Sequence, residues 1–465
     1  MLWITWFDIV WKLRPAFSRQ QTFFWSVLVI MSFCIRQDLN GVTSFIRASW
    51  IAPKFYTCMT GFFHSTGVNL NQLTCLWSSL CLKIFSSHLV KFNGKYVLLA
   101  DGLKIPKEGK KMPGIKSHHQ GSQNNSKPEY IMGHSFQAVS LLVKAADSFF
   151  AVPLTSRIHE GFKQSNRDHR TLFNKLLSLL NGMDMGGHYY FLADAYYSCK
   201  PMIKGLLQND NHIISRMKSN AVAYERAVQE NKGRGRPKIY GEKVILKNQF
   251  KNQKGFVSIV SPIYGEVDVF IEVKICDLIL KGISKVVRYV LVKHPTRGNV
   301  ILMSTDTNLK ASEIVELYGL RFKIEVSFKE SIHTVGAYSY RFWMKEMKKT
   351  RRWDGTRHLH KESAEYRKQF LKKINAYHLH VQFGLIAQGI LQYLSINHPK
   401  EIWLTFGSWL RTIRPGIPPS EKVVTLSLRN GLLDFLTGRK IPSAFKIFMQ
   451  ARSDISRMPG HRMAS

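Results

Sequence analysis

Apolar residues recur at helical spacing over residues 3–13, then form a continuous run of 13 residues over 23–35, with Pro15 between them. That pattern predicts two helices separated by a proline break. Asn40-Gly41, Pro53 and the stretch 67–69 divide the following residues into further short helical segments. The run 23–35 is shorter than the roughly 20 residues a membrane span needs, so it reads as a core helix. No small-residue cleavage site follows it, so no signal peptide is expected.

The period changes at Lys95. Residues 96–100 are a continuous apolar run of strand length that ends in Asp101-Gly102. A polar loop is expected from Lys104 to about Ser135, then two strands over 136–143 and 148–155 joined by a turn at 144–147. A helix over 168–180 closed by Asn181-Gly182 comes next, then a buried strand over 189–193 running into Asp194. A helix opening at Pro201 and a strand over 212–216 complete the series. This order predicts an α/β sheet with helices on its faces. Short β-rich runs over 231–305 read as an insertion. One long amphipathic helix is expected over 312–332, with Ser312 as N-cap and Glu313 and Glu316 at its positive end. Residues 341–373 are basic, 374–396 form an apolar helix, and Arg414-Pro415-Gly416 marks a loop before terminal helices.

Composition adds a partner. The 465 residues are 45% hydrophobic and 12% aromatic, which suits a folded protein of two or three domains. Sixty-seven Lys and Arg face 31 Asp and Glu, a formal net charge of +36. A field of that size opposes folding by self-repulsion unless a polyanion meets it, and nucleic acid is the leading candidate. A ribosomal or membrane-surface protein is the alternative that charge alone leaves open. The six cysteines form no CxxC pair and no zinc-finger spacing, so they read as reduced, buried thiols of an intracellular protein. His118-His119 and His358-x-His360 lack a carboxylate or thiol to complete a metal site.

Three acidic residues then stand out: Asp101 and Asp194, each at the end of a buried strand, and Glu325 on a later helix. Ligand sites gather at the carboxyl ends of strands in α/β sheets. Neighbouring aspartates repel unless cations lie between them, and hard oxygen donors suit Mg²⁺ or Mn²⁺. Each residue taken singly has a plainer reading: a turn cap for either aspartate, and an ion pair with Arg321 or Lys329 for Glu325.

Together these residues resemble a known family. Asp194-Ala195-Tyr196-Tyr197 after Phe191-Leu192-Ala193 is similar to the second-aspartate motif of DDE transposases from bacterial insertion sequences. Tyr318-x-x-Arg321-x-x-x-Glu325 resembles the start of the YREK signature of the group named after insertion sequence four. Leu98-Leu99-Ala100-Asp101-Gly102 is similar to the strand that carries that group's first aspartate. The motifs fall in the family's order over about residues 95–345, and the gap from Asp194 to Glu325 has room for the β-rich domain the family inserts there. The signature's lysine would fall at 332, where this chain has Ile332. Either Lys329 or His333 takes its place or catalytic competence is lost.

The resemblance implies an α/β fold with an RNase H-like mixed-sheet core, interrupted by the β-rich insertion and flanked by helical N-terminal and C-terminal regions. Its parts would be a helical region over 1–90 that binds DNA or caps the core, core segments over 91–230 and 306–345, the insertion over 231–305, and a basic helical region over 346–465. It implies two Mg²⁺ (Mn²⁺ substituting) held by Asp101, Asp194 and Glu325, with Tyr318, Arg321 and Lys329 on DNA phosphates. It also implies recognition of terminal inverted repeats, cleavage, joining of the 3′-OH to target DNA and a homodimer on DNA, while the short apolar run and the missing signal peptide lead to the expectation of no membrane and a cytoplasmic, nucleoid-associated location. An endonuclease that cuts without joining, an inactive element-derived DNA-binding protein and a peripheral membrane protein using the N-terminal apolar helix and the positive charge are the rivals. Arg234-Gly235-Arg236-Pro237 has the form of an AT-hook core, so Arg234 and Arg236 are expected in a minor groove.

Overall fold

A computed structural model describes residues 1–119, 129–227, 238–409, 411–438 and 441–457. Arg234 and Arg236, and with them the AT-hook reading, lie outside the described residues.

The N-terminal region is helical: α1 (Leu2–Trp11), α2 (Gln20–Ile35), α3 (Thr43–Ala48), α4 (Tyr56–Phe62) and α5 (Leu70–Ile84). The apolar run at 23–35 is apolar on every side because α2 is buried along nearly its whole length. Among the described residues no helix is long and apolar enough to cross a membrane. Of the six free cysteines only Cys34 and Cys81 are buried; Cys58 is exposed and the others are partly exposed, which corrects the expectation of uniformly buried thiols.

A mixed sheet of thirteen strands dominates the rest. Its first part comprises β1 (Lys91–Phe92), β2 (Lys95–Pro106), β3 (Lys116–His119), β4 (Tyr130–Ala145) and β5 (Ser148–Ile158); the two-residue β6 (Phe162–Lys163) lies apart from it. After α6 (Leu172–Asn181) come β7 (Tyr189–Ala193), α7 (Lys200–Leu207) and β8 (His212–Arg216). The β4–β5 hairpin turns at Ala146 and Asp147, and Ala146 takes a positive φ of 48° as such a tight turn demands. β2 pairs antiparallel with β4 on one side and parallel with β7 on the other, and β7 pairs parallel with β8. The short apolar bursts at 189–193 and 212–216 are therefore strands buried on both faces, as parallel strands between helical layers must be.

β9 (Val222–Arg226) precedes the expected β-rich stretch, which supplies β10 (Tyr240–Ile245), β11 (Val257–Val260), β12 (Phe270–Ile279), β13 (Val286–His294) and β14 (Gly298–Ser304). These strands continue the same sheet, because β14 pairs antiparallel with β8. The chain returns across the sheet as α8 (Ala311–Leu320) and α9 (Lys323–Glu330), followed by a wide π turn over Ser331–Val335. The 34-residue helix α10 (Ala364–Asn397) then packs on α2 and β5.

Alternation along β2 separates two cores. Leu98 and Ala100 point into the larger one, shared with the N-terminal helices and α10. Val97 and Leu99 point into the smaller one, closed by Ile314, Leu317 and Leu320 of α8 and Ile324 of α9. The sheet is thus sandwiched between helical layers, and each layer draws on one parity of the strand sequence.

Four local expectations change. β2 does not stop at Asp101 but runs on to Pro106, because β4 also extends back to Tyr130 and keeps pairing with it. Part of the expected 104–135 loop is therefore sheet. The helix expected from 168 begins at Leu172, where Thr171 and Asn174 form a reciprocal capping box. The single helix expected over 312–332 is two. It starts at an N-cap on Lys310, whose N–H donates to the Glu313 carboxylate at 2.7 Å, and it tightens at Arg321-Phe322, where Arg321 and Ile324 N–H groups reach back only three residues.

Candidate active site

Register and parity place the two aspartates. The last parallel pair between β2 and β7 is Leu99 with Leu192, and one further two-residue step leads to Asp101 and Asp194. Both therefore share a face with Leu99 and Leu192, the face that α8 and α9 cover. Neighbouring strands lie about 4.8 Å apart, so two carboxylates at this register fall within strong mutual influence. Glu325 sits in the first turn of α9, directly after buried Ile324.

Arg321 binds the site together. Its Nη1 lies 3.1 Å from Asp101 Oδ2 and its Nη2 lies 2.7 Å from Glu325 Oε1, so one guanidinium fork spans two carboxylates. Arg321 itself stands at the break between α8 and α9. Burial alone would lower the Arg321 pKa, but Glu325 and Asp101 outweigh it and raise it. Burial pushes the Asp101 carboxyl up to about 6; Arg321 and the Gly102 N–H pull it down, and Asp194 and Glu325 push it up again. Asp194 and Glu325 therefore both act on the charge of Asp101. Tyr318, one turn before Arg321, accepts the Arg321 backbone N–H at its carbonyl at 3.1 Å, and burial raises the Tyr318 phenol.

Each aspartate is also held from below. Asp101 Oδ1 accepts from Gly102 N–H at 2.7 Å, and Asp194 Oδ1 accepts from Tyr196 N–H at 3.0 Å in a tight turn. The Ser215 hydroxyl of β8 donates to Asp194 O at 2.8 Å. Tyr197 OH donates to Gln137 Oε1 at 2.9 Å, and Gln137 Nε2 donates to Asp101 O at 3.2 Å. This relay ties the segment after Asp194 to the strand bearing Asp101. Gln137 and Ser215 were not singled out by sequence; the only signal for Gln137 was a polar residue inside a buried strand. Tyr197→Phe would leave the buried Gln137 oxygen without a donor, and a loss of about 1–3 kcal/mol in urea unfolding is expected.

The remaining residues separate. Lys329 is exposed one turn beyond Glu325 on α9. Ile332 lies in the π turn and packs against the larger core, so a side chain at that position is directed into the protein. Arg36 of the N-terminal region clamps the end of this turn: its Nη2 donates to Val335 O and Gly336 O at 2.6 and 2.8 Å, while its guanidinium lies over Phe33 and Phe45. The N-terminal helices therefore brace the helix that carries Glu325.

As donors, three carboxylates fit a hard divalent cation. Among the described residues no three His, Cys, Asp or Glu side chains stand close enough to hold a metal ion as they are. Arg321 lies between Asp101 and Glu325, and Glu325, 57% exposed, is the more exposed of its two carboxylate partners.

Residues 145–336 match the family model of the transposase DDE domain, a stretch that holds Asp194, Tyr318, Arg321 and Glu325 and leaves Asp101 outside. Among solved structures the chain is similar to the cryo-EM structure of a piggyBac transposase synaptic complex with hairpin DNA, at 11% identity and a TM-score of 0.36, over 92% of this chain and 74% of that one. No curated protein matches it.

Proposed function

We propose that this chain is a DDE transposase: it binds the terminal inverted repeats of its own element, cleaves DNA phosphodiesters and joins the 3′-OH ends to target DNA. Asp101, Asp194 and Glu325 would hold two Mg²⁺ or Mn²⁺ on an RNase H-like core formed by β2, β4, β5, β7 and β8, with the strands of 231–305 as its insertion. The observation that supports this reading is the convergence of Asp101 and Glu325, from separate parts of the chain, on the Arg321 guanidinium, with Asp194 one two-residue step beyond the last β2–β7 pair beside Asp101. When bound, such ions activate the attacking oxygen and stabilise the leaving one.

The chain's own residues do the rest. The carboxylates on β2 and directly after β7 would fix a cation site on the sheet. Arg321, with its planar fork, exchanges its hold on Glu325 for a DNA phosphate, and Tyr318 orients the guanidinium as it does so. Lys329 adds a phosphate contact one turn on. Duplex DNA is the partner, and a second copy of the chain would hold the second element end. The test is incubation of a supercoiled plasmid carrying the element's ends with the protein and Mg²⁺. Joined products support the transposase; cleaved ends alone make it an endonuclease, and intact plasmid with bound protein makes it an inactive DNA-binding relative.

A further inference from the structure

Beyond Pro106, the chain leaving β2 meets the chain leaving the catalytic helix. Met344 N–H donates to Lys111 O at 3.0 Å and Thr350 N–H to Lys110 O at 2.8 Å, while Lys111 Nζ donates to Lys345 O at 3.0 Å. Lys107 Nζ fastens the base of this junction to Tyr338 O and Tyr340 O. Between the two segments lies a cleft of about 840 Å³. Lys110 and Lys111 stand on one wall and Lys345, Lys348, Lys349 and Arg351 on the other, with Glu346 as the only carboxylate in the lining. Arg352 lies at the rim, its guanidinium 5.4 Å from the Tyr130 ring centre and 5.0 Å from that of Trp353, which is 76% exposed.

Fixed backbone hydrogen bonds hold these like charges together, and among the described residues none of the seven cations forms an ion pair within the chain. A solvated basic face needs no such construction: flexible lysines on a helix or loop would spread apart. Here two segments far apart in sequence are tied edge to edge, and the repulsion is relieved only by an external polyanion.

We infer that this cleft is a docking groove for the backbone of duplex DNA, placed to hold the DNA flank beside the cut. The inference rests on the transposase reading for the position of the cut. β2 leads from Asp101 to Pro106 over about 17 Å at the usual strand rise. At about 3.4 Å per base pair, the cleft meets phosphates roughly five or more base pairs from the scissile bond. The recognition is of phosphate rather than base sequence, since lysines and stacked arginines supply charge without base-edge readout.

The test compares two full-length variants of equal charge loss, each made at exposed positions where folding is little affected. One is Lys348→Ala/Lys349→Ala/Arg351→Ala/Arg352→Ala in the cleft. The other is Lys243→Ala/Lys247→Ala/Lys251→Ala/Lys254→Ala, whose first position is on β10 at the opposite end of the sheet from β3. Affinity for a duplex of arbitrary sequence, about four helical turns long, is measured across a salt series. At about 0.9 per phosphate contact, the cleft variant should lose roughly 3.6 from the slope of log affinity against log salt, and the control less than about one. Equal losses in both variants, or an unchanged slope in the cleft variant, overturn the groove. Wild-type protein that shows the cleft-dependent slope but does not nick DNA in Mg²⁺ would sink the catalytic reading and leave the groove standing.

Discussion

Asp101→Asn, Asp194→Asn and Glu325→Gln should each lower cleavage of element-end DNA by roughly 10³-fold or more while changing duplex affinity by less than about twofold. The scale follows from losses seen when one preorganised electrostatic group is removed from an active site. Each substitution keeps the shape of the side chain and removes one negative charge, so packing on β2, β7 and α9 is retained. In the proposed reading, binding would be carried by the basic surface, which none of the three changes reduces. The three losses should not add: a double variant ought to be about as inactive as a single one, because the carboxylates act as one unit. The measurement is plasmid nicking in Mg²⁺ alongside a duplex-binding titration. A variant that still cuts at a tenth of the wild-type rate removes that residue from the site.

The second large effect is on stability and pH. The folded Asp101 carboxyl titrates at about 6, against 3.8 for the free group, with burial as the leading cause. The folded state therefore keeps a proton that the unfolded chain gives up first. This contribution is fully present below about pH 4 and is lost as pH rises through about 6, leaving the ionised site roughly 3 kcal/mol less favourable at pH 8. Asp101→Asn should accordingly raise the urea midpoint at pH 8 and leave it unchanged at pH 4. Mg²⁺ should stabilise the wild type at pH 8 and not the variant, since a ligand stabilises only the form that binds it. Cleavage by the wild type should climb as pH passes through 6. A variant no more stable than the wild type at pH 8 would contradict the strained-carboxylate account.

Much of this arrangement was legible in the residues. Tyr189–Ala193 and His212–Arg216 appear at the bounds their apolar runs suggested, because strands buried on both faces leave continuous hydrophobic signatures. The helix over 312–332 was legible as helical, but its break was not: Arg321-Phe322 carries no glycine or proline, and the tightening goes with Arg321 reaching two carboxylates on different elements. Asp101 was found as a candidate for a partly wrong reason. It was read as a strand end, whereas β2 continues past it because a distant strand, β4, is long enough to keep pairing. Alternation along β2 and β7 then sets which face the aspartates share, and that needed the register between two strands 93 residues apart. Gln137 was marked only by being polar inside a buried strand, and Arg36, legible as a basic residue after a helix, is buried against partners that only the fold brings to it. The joining of Lys110 and Lys111 to residues 345–352 in one basic cleft was likewise invisible, although each segment was separately basic.

The most direct check is to load the protein with Fe²⁺ in place of Mg²⁺ and map where radicals generated at the metal cut the polypeptide. Scission clustered near residues 101, 194 and 325, suppressed by excess Mg²⁺ and absent in Asp101→Asn, is the predicted result. Scission elsewhere, or a pattern that excess Mg²⁺ and the substitution leave unchanged, would show that these side chains do not share a cation.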